Sequence, residues 1–290
     1  MLLRLCLTGR RRYSEFQEEL PISHAVLSAR LDQLVGAGLL ARREYSSRPP
    51  RSEYVLTPKG RATWPILAMI WGWERAWVED HRYPTPPIRH ETCGREVTLL
   101  LTCSHCGAQL RRTDLDARWG RAGGWEESVP PTRTRRRSSS RETREISFYP
   151  DTVAIFGNGW SSAIVGAAFL GVRRFTDFQR LLGVPPGSLS DRLHILVDHG
   201  VLHHASSEDL TATSAAAKDK SREYTLTEKG EAFLPVVLTT VSWAERWVGE
   251  GEEEVLHLTH LPCGKSLRPT VTCGSCHAPV RGRDITIGEA

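Results

Sequence analysis

Ile22–Gly60 reads ISHAVLSARLDQLVGAGLLARREYSSRPPRSEYVLTPKG. Ser23 is a favoured N-cap residue, and Leu27, Leu31 and Leu34 follow at the spacing that puts them on one face of a helix. Gly36 and Gly38 stop that helix. Leu39–Tyr45 and Glu53–Thr57 are β-prone, and the Ser46-Ser47-Arg48-Pro49-Pro50 stretch between them is rich in turn formers, so the pair predicts a hairpin. Thr57 and Pro58 read as N-cap and first helical residue of a long helix running to about Asp80, kinked at Pro65. Upstream, Ser14 and Gln17 have capping-box spacing and predict a short helix ending near Pro21. Helix, helix, two-stranded wing, helix is the order of a winged helix-turn-helix, so the expected fold is mainly α with small β wings.

The same pattern recurs. Tyr13-Ser14-Glu15-Phe16-Gln17 matches Phe175-Thr176-Asp177-Phe178-Gln179 at an offset of 162 residues, and Glu53-Tyr54-Val55-Leu56-Thr57 matches Glu223-Tyr224-Thr225-Leu226-Thr227 at 170. Thr176 and Gln179 repeat the capping-box spacing, with Gly183 ending that helix. The eight extra residues of the second copy fall in its wing, where a surface loop tolerates insertion. At the offset of 162 the counterpart of Trp160, in Gly157-x-Gly159-Trp160, would precede Met1, so either the given start lies too late or the first domain is N-terminally shortened. Ile66, Ile70, Trp73 and Trp77 form a stripe at helical spacing, mirrored by Val236, Thr240, Trp243 and Trp247, and read as core or seam packing. Trp71 falls outside the stripe and is a candidate pocket residue.

A metal-ligand pattern occurs in each copy: His90-x2-Cys93-x9-Cys103-x2-Cys106, and His260-x2-Cys263-x9-Cys273-x2-Cys276, every member displaced by 170. Six of the seven cysteines belong to these modules, a usage that reads as zinc rather than disulfide. Each set supplies a closed Cys3His tetrahedron within its own module, which implies structural zinc, two per chain. His105 and His277 are rival ligands, but each occurs in one copy only. The alternative is unmetallated thiols. Cys6, flanked by Leu5 and Leu7, reads as a buried apolar residue with a raised thiol pKa.

At 290 residues, 40% hydrophobic and 25% charged, the chain is long enough for two modest domains. No apolar run approaches the roughly 18 residues of a membrane span, and Arg10-Arg11-Arg12 follow rather than precede the apolar start, against a secretory signal. The expectation is a cytoplasmic protein with no membrane partner. The net charge of +4 permits nucleic-acid binding without requiring it.

Arg12-Tyr13-x-x-Phe16, Ile22-Ser23-x-x-x-Leu27-Ser28-x-Arg30-Leu31, Gly38-Leu39-Leu40-x-Arg42 and Pro50-x-x-Glu53-Tyr54-x-Leu56-Thr57-x-Lys59-Gly60, largely repeated in the second copy, resemble the HxlR-type transcriptional regulators of the MarR-like winged-helix group. The resemblance covers about 80 residues per copy and implies a dimer whose two recognition helices address a near-palindromic double-stranded DNA site. Because one chain supplies both copies, the implied arrangement is an intrachain pseudo-dimer, with further homodimerisation left open.

A helix-turn-helix reads the major groove with polar side chains near the start of its second helix. In the first copy these are Ser23, His24, Ser28 and Arg30, and the wing adds Arg42, Arg43, Arg48 and Arg51. The second copy offers Ser190 and Arg192, with Lys218, Lys220 and Arg222 in its longer wing, but Pro185, Pro186 and Gly187 replace Ser23, His24 and Ala25. DNA binding dominated by the first copy is expected. The domain reading is residues 1–82 for the first winged helix, 83–114 for the first zinc-ribbon-like module, 115–147 for a flexible Arg-rich linker, 148–250 for the second winged helix and 251–290 for the second module. No Ser/His/Asp set, phosphate-binding glycine loop or open metal site appears, so the chain does not read as an enzyme. The competing readings are a thiol- or metal-based redox-sensing regulator and a protein-interaction scaffold that does not bind DNA.

Overall fold

The computed structural model describes residues 1–47, 50–79, 86–120, 149–205, 223–248 and 256–287. The chain divides into two compact units, Met1–Met69 and Ile70–Ala290.

In the first unit, helices α1 (Leu2–Leu7), α2 (Tyr13–Glu19) and α3 (His24–Gly36) precede a hairpin of β1 (Leu40–Ser47) and β2 (Pro50–Leu56), followed by α4 (Pro58–Arg61). Leu2, Leu5, Phe16, Leu27, Leu31, Leu40 and Tyr54 fill the core, with Phe16 edge-on to Tyr54. Helix α1 contributes Leu2, Leu5 and the buried Cys6, whose thiol burial pushes up to about 11. Ser23 caps α3 through the Val26 N–H, and Thr57 caps α4 through the Gly60 N–H, as the sequence predicts.

Two local expectations are corrected. The cap of α2 is Arg12 rather than Ser14. The Glu15 carboxylate accepts hydrogen bonds from the Arg11 and Arg12 amides, both at 2.7 Å, so the helix starts earlier than the Ser/Gln spacing suggests. Its counterpart, Phe175–Leu182, is likewise preceded by Arg174. Nor does one kinked helix follow Thr57. The helix ends at Arg61, and a new one, α5 (Trp64–Trp77), begins with Pro65 in its first turn, where the missing N–H costs nothing.

The second unit contains the end of α5, two ribbons and the second winged helix. That domain comprises α6 (Pro150–Phe156), α7 (Gly159–Phe169), α8 (Phe175–Leu182), α9 (Pro186–Asp198), strands Leu202–His204 and Tyr224–Leu226, α10 (Glu228–Glu231) and α11 (Leu234–Trp247). Among the described residues no single helix is long and apolar enough to cross a membrane. Trp73 is buried edge-on against Phe233, 4.8 Å between centroids, and its Nε1 donates to the Lys229 carbonyl at 2.9 Å. The buried Glu74 carboxylate accepts from the Thr152 amide, which fixes α6. Trp71 is buried too, and its Nε1 donates to the Pro86 carbonyl at 2.9 Å. Asp151 accepts from His199 Nδ1 at 2.6 Å and pairs with the Lys229 ammonium.

The ribbons are interleaved. β3 (Ile88–His90), β4 (Arg95–Val97), β5 (Leu99–Cys103) and β6 (Leu115–Trp119) come from the first copy, and β9 (Leu256–His260), β10 (Lys265–Ser266), β11 (Pro269–Cys273) and β12 (Ile285–Ile287) from the second, the second wing strands being β7 and β8. β5 pairs antiparallel with β11, β3 lies between β4 and β12, and β9 lies between β10 and β6. Leu115–Trp119 is therefore a strand where the sequence suggests the start of the linker. Its partner lies in the other copy, so nothing near it in sequence announces the pairing.

Gly60 and Gly230 are required by close approach. A Cβ would lie 2.0 Å from the Leu39 carbonyl oxygen in one copy and 2.2 Å from that of Val201 in the other. Gly60→Ala should cost about 1–3 kcal/mol through overpacking, read as a lower urea midpoint at unchanged m. Burial works to raise the Asp151 pKa, but hydrogen bonds from His199 and Lys229 outweigh it and hold the carboxyl below its ordinary value. Its contribution is complete above the unfolded value of about 3.9 and is lost as pH falls through the lower folded value. Asp151→Asn should therefore destabilise at neutral pH, and its difference from wild type should shrink below about pH 4, measured by urea unfolding across pH.

Candidate functional site

The start of α3 is the candidate DNA-reading element. Ser23 and His24 are exposed and Ser28 is half-buried. Tyr13 braces this turn: its hydroxyl donates to the His24 carbonyl at 3.0 Å and lies 3.2 Å from both His24 Nδ1 and Ser28 Oγ, and its ring stacks on the His24 imidazole. Arg30 is exposed further along the helix. The sequence marks Tyr13 only as part of a family pattern. The signal for its bracing role is the hydroxyl that its counterpart, Phe175, does not carry.

The wing arginines are partly engaged within the domain. Arg42 bonds Asp32 at 3.2 Å and the Tyr54 hydroxyl at 3.0 Å, while Arg43 pairs with Glu53 through Nε at 2.8 Å. Both remain more than half exposed, so these interactions orient the guanidinium groups without withdrawing them from solvent. Arg51 is exposed. Arg48, Lys218, Lys220 and Arg222 lie outside the described residues. In the second copy Pro185 occupies the cap position without a side-chain cap bond and Pro186 follows, while Ser190 is exposed and Arg192 half-buried.

All eight expected metal ligands come together, but not in the expected sets. His90, Cys93, Cys273 and Cys276 form one cluster, and Cys103, Cys106, His260 and Cys263 the other, the ligand atoms of each within 4.8 Å of one another. Each cluster takes a His-x2-Cys pair from one copy and a Cys-x2-Cys pair from the other. The within-module tetrahedra are thus corrected, because the β5–β11 register carries each Cys-x2-Cys turn past its own module to the other copy's histidine.

The donor geometry fits a tetrahedral metal. With metal–sulfur bonds of about 2.3 Å and metal–nitrogen bonds of about 2.0 Å, the edges are about 3.8 Å between sulfurs and about 3.5 Å from sulfur to nitrogen. Cys93 and Cys273 sulfurs are 3.9 Å apart and those of Cys103 and Cys263 4.0 Å, far beyond the roughly 2.05 Å of a disulfide. Cys276 lies 3.5 Å from His90 Nδ1, and Cys106 lies 3.4 Å from His260 Nδ1. Both histidines are buried with Nδ1 facing the thiols, and their Nε2 atoms have no hydrogen-bond partner among the described residues. Burial pushes the Cys273 thiol up, but the amides of Cys276 and Ser275 together with neighbouring thiols bring it down to about 7. Cys103 is lowered in the same way, whereas at Cys106 and Cys276 the amides of Ala108 and Ala278 are outweighed by burial and the neighbouring thiols, which raise both.

The sequence pattern described as HxlR-like helix-turn-helix matches residues 1–82 and 155–252, and the chain belongs to that family. An uncharacterized HTH-type transcriptional regulator of Mycobacterium tuberculosis is 36% identical over 110 residues, covering 38% of this chain and 70% of that protein. YvaP of Bacillus subtilis, also named an uncharacterized HTH-type transcriptional regulator, is 42% identical over 74 residues, covering 25% and 68%. The crystal structure of PA1607 is 29% identical, covers 48% of this chain and 91% of that one, and has a TM-score of 0.41.

The rival histidines stand outside both clusters. His277 has φ of +57°, in the position that Gly107 fills at +74° in the first copy. His277→Gly should therefore relieve left-handed strain and raise stability by about 1 kcal/mol, with metal content unchanged. The checks are thermal unfolding and elemental analysis of the same preparation.

Proposed function

We propose that this member of the HxlR-like family is a transcriptional regulator that binds double-stranded DNA through tandem winged helices, with two structural zinc ions in its interleaved ribbons. The observation that carries the DNA reading is the difference between the two recognition helices. The first presents an exposed, Tyr13-braced turn with Ser23, His24 and Ser28 beside a wing bearing Arg42, Arg43 and Arg51. The second begins with Pro185 and Pro186 and has Phe175 in place of the brace. Ser and His near the helix start suit base edges, while the arginines suit phosphates, including Arg48 by its place in the sequence. The first copy then supplies most of the affinity. Ser190, Arg192, Lys218, Lys220 and Arg222 make a weaker second contact.

The pseudo-dimer reading is supported by the two-copy sequence and by the pairing of equivalent ribbon strands. Zinc fits the Cys3His donor set, and four protein ligands leave no open position for substrate. The ions would then hold the ribbons folded, and no reaction is assigned to them.

Replacing Arg42 and Arg43 together by Ala should weaken DNA binding by about 1–3 kcal/mol and flatten the salt dependence by about one unit of slope for each phosphate interaction removed. Arg192→Ala should cost less. Fluorescence anisotropy on operator DNA at several salt concentrations checks both, and equal effects would remove the asymmetry. Unchanged binding in both variants would favour a scaffold that does not read DNA.

A further inference from the structure

We infer that the two metal ions staple the repeat copies to each other, so that neither copy can complete a metal site alone and metal occupancy governs the union of the two ribbons. The inference rests on the reading of the clusters as metal sites and adds which part of the chain each ion joins to which.

The crossing follows from symmetry. In the β5–β11 pair, Leu101 lies opposite Val271, its own counterpart at the 170-residue offset. The β6–β9 register, with Leu115 opposite His260, is the same relation as the β12–β3 register, with Ile285 opposite His90. The ribbons are thus related by a pseudo-two-fold axis through the Leu101–Val271 pair. Two-fold exchange carries each Cys-x2-Cys turn to the other copy's His-x2-Cys turn, and it does so twice.

Each ion therefore closes a long loop. Cys93 and Cys273 are 180 residues apart, and Cys103 and Cys263 are 160 apart. A cross-link that spans so much chain removes more unfolded-state freedom than one within a 17-residue module such as 90–106. Among the described residues, the backbone hydrogen bonds that otherwise join the ribbons come from three short strand pairings, β5–β11, β6–β9 and β3–β12, and Thr286 Oγ1 donates to the Glu91 carboxylate while Thr102 Oγ1 donates to the Thr270 carbonyl. Without the ions, the described residues would join the ribbons through those strands and the buried Leu101–Val271 face.

Metal content of full-length reduced protein decides the point. Wild type should hold two ions per chain. Cys93→Ser with Cys273→Ser damages one crossed cluster twice and should retain one ion, whereas Cys93→Ser with Cys103→Ser damages both clusters and should retain none. The reverse pattern, none for the first pair and one for the second, would overturn the crossing while leaving the metal reading intact. Absence of metal from freshly purified wild type would instead overturn the metal reading. A second measurement needs no variant. Metal-loaded wild type treated with diamide, which takes up two electrons from the paired thiolates and two protons per disulfide formed as the ion is released, should yield Cys93 linked to Cys273 or Cys276. Peptide mapping that finds Cys93 linked to Cys103 or Cys106 would overturn the inference.

Discussion

The antiparallel pairing of Leu99–Cys103 with Pro269–Cys273 is the constraint on which the second unit depends. Its inner face buries Leu101 and Val271, and its ends bury Cys103 and Cys273, so register and ligand placement are fixed together. Leu101 faces its own counterpart, and a slip of one residue would turn every side chain of the strand to the opposite face. Such a slip would carry Cys103 and Cys273 to the face that holds Thr102 and Thr272 and separate each from the other copy's histidine. The Cys/His clusters and the hydrophobic strand face are both assembled by this one register.

Much of each winged helix is legible in the sequence because its signals are local. Leu27 and Leu31 at helical spacing, and Ser23 and Thr57 as caps, are decided within a few residues. The errors lie where two local signals compete. The Glu15 carboxylate is a stronger acceptor for amides at the helix start than the Ser14 hydroxyl, so the cap falls on Arg12. Pro65 could kink a helix or start one, and starting one leaves no carbonyl without its donor.

Which eight Cys and His side chains gather is legible in the sequence, and how they group is not. With identical spacing in both copies, closed sites and exchanged sites use the same residues, and nothing in the linear pattern separates them. The same holds for Leu115–Trp119, whose partner strand lies 137 residues on at the Trp119–Leu256 pair and 145 at the Leu115–His260 pair. Only long-range pairing resolves such cases. The wing tips carrying Arg48, Lys218, Lys220 and Arg222 fall outside the described residues.

Duplication within one chain changes what each copy must retain. In a symmetric pair of separate chains, every substitution appears twice, so a change that harms the recognition helix harms both DNA-binding surfaces. Here the copies are free to differ, and they differ unequally. The ribbons keep all eight ligands and their spacing, while the second recognition helix has Pro185 and Pro186 in place of a capped, braced start, and Phe175 in place of Tyr13. On the proposed reading, the shared residues are those that need a partner from the other copy, since removing one ligand would disable a site that both copies build. The recognition helices have no such mutual requirement. On that reading, crossed coordination would tie the ribbons to common chemistry and leave the winged helices to specialise.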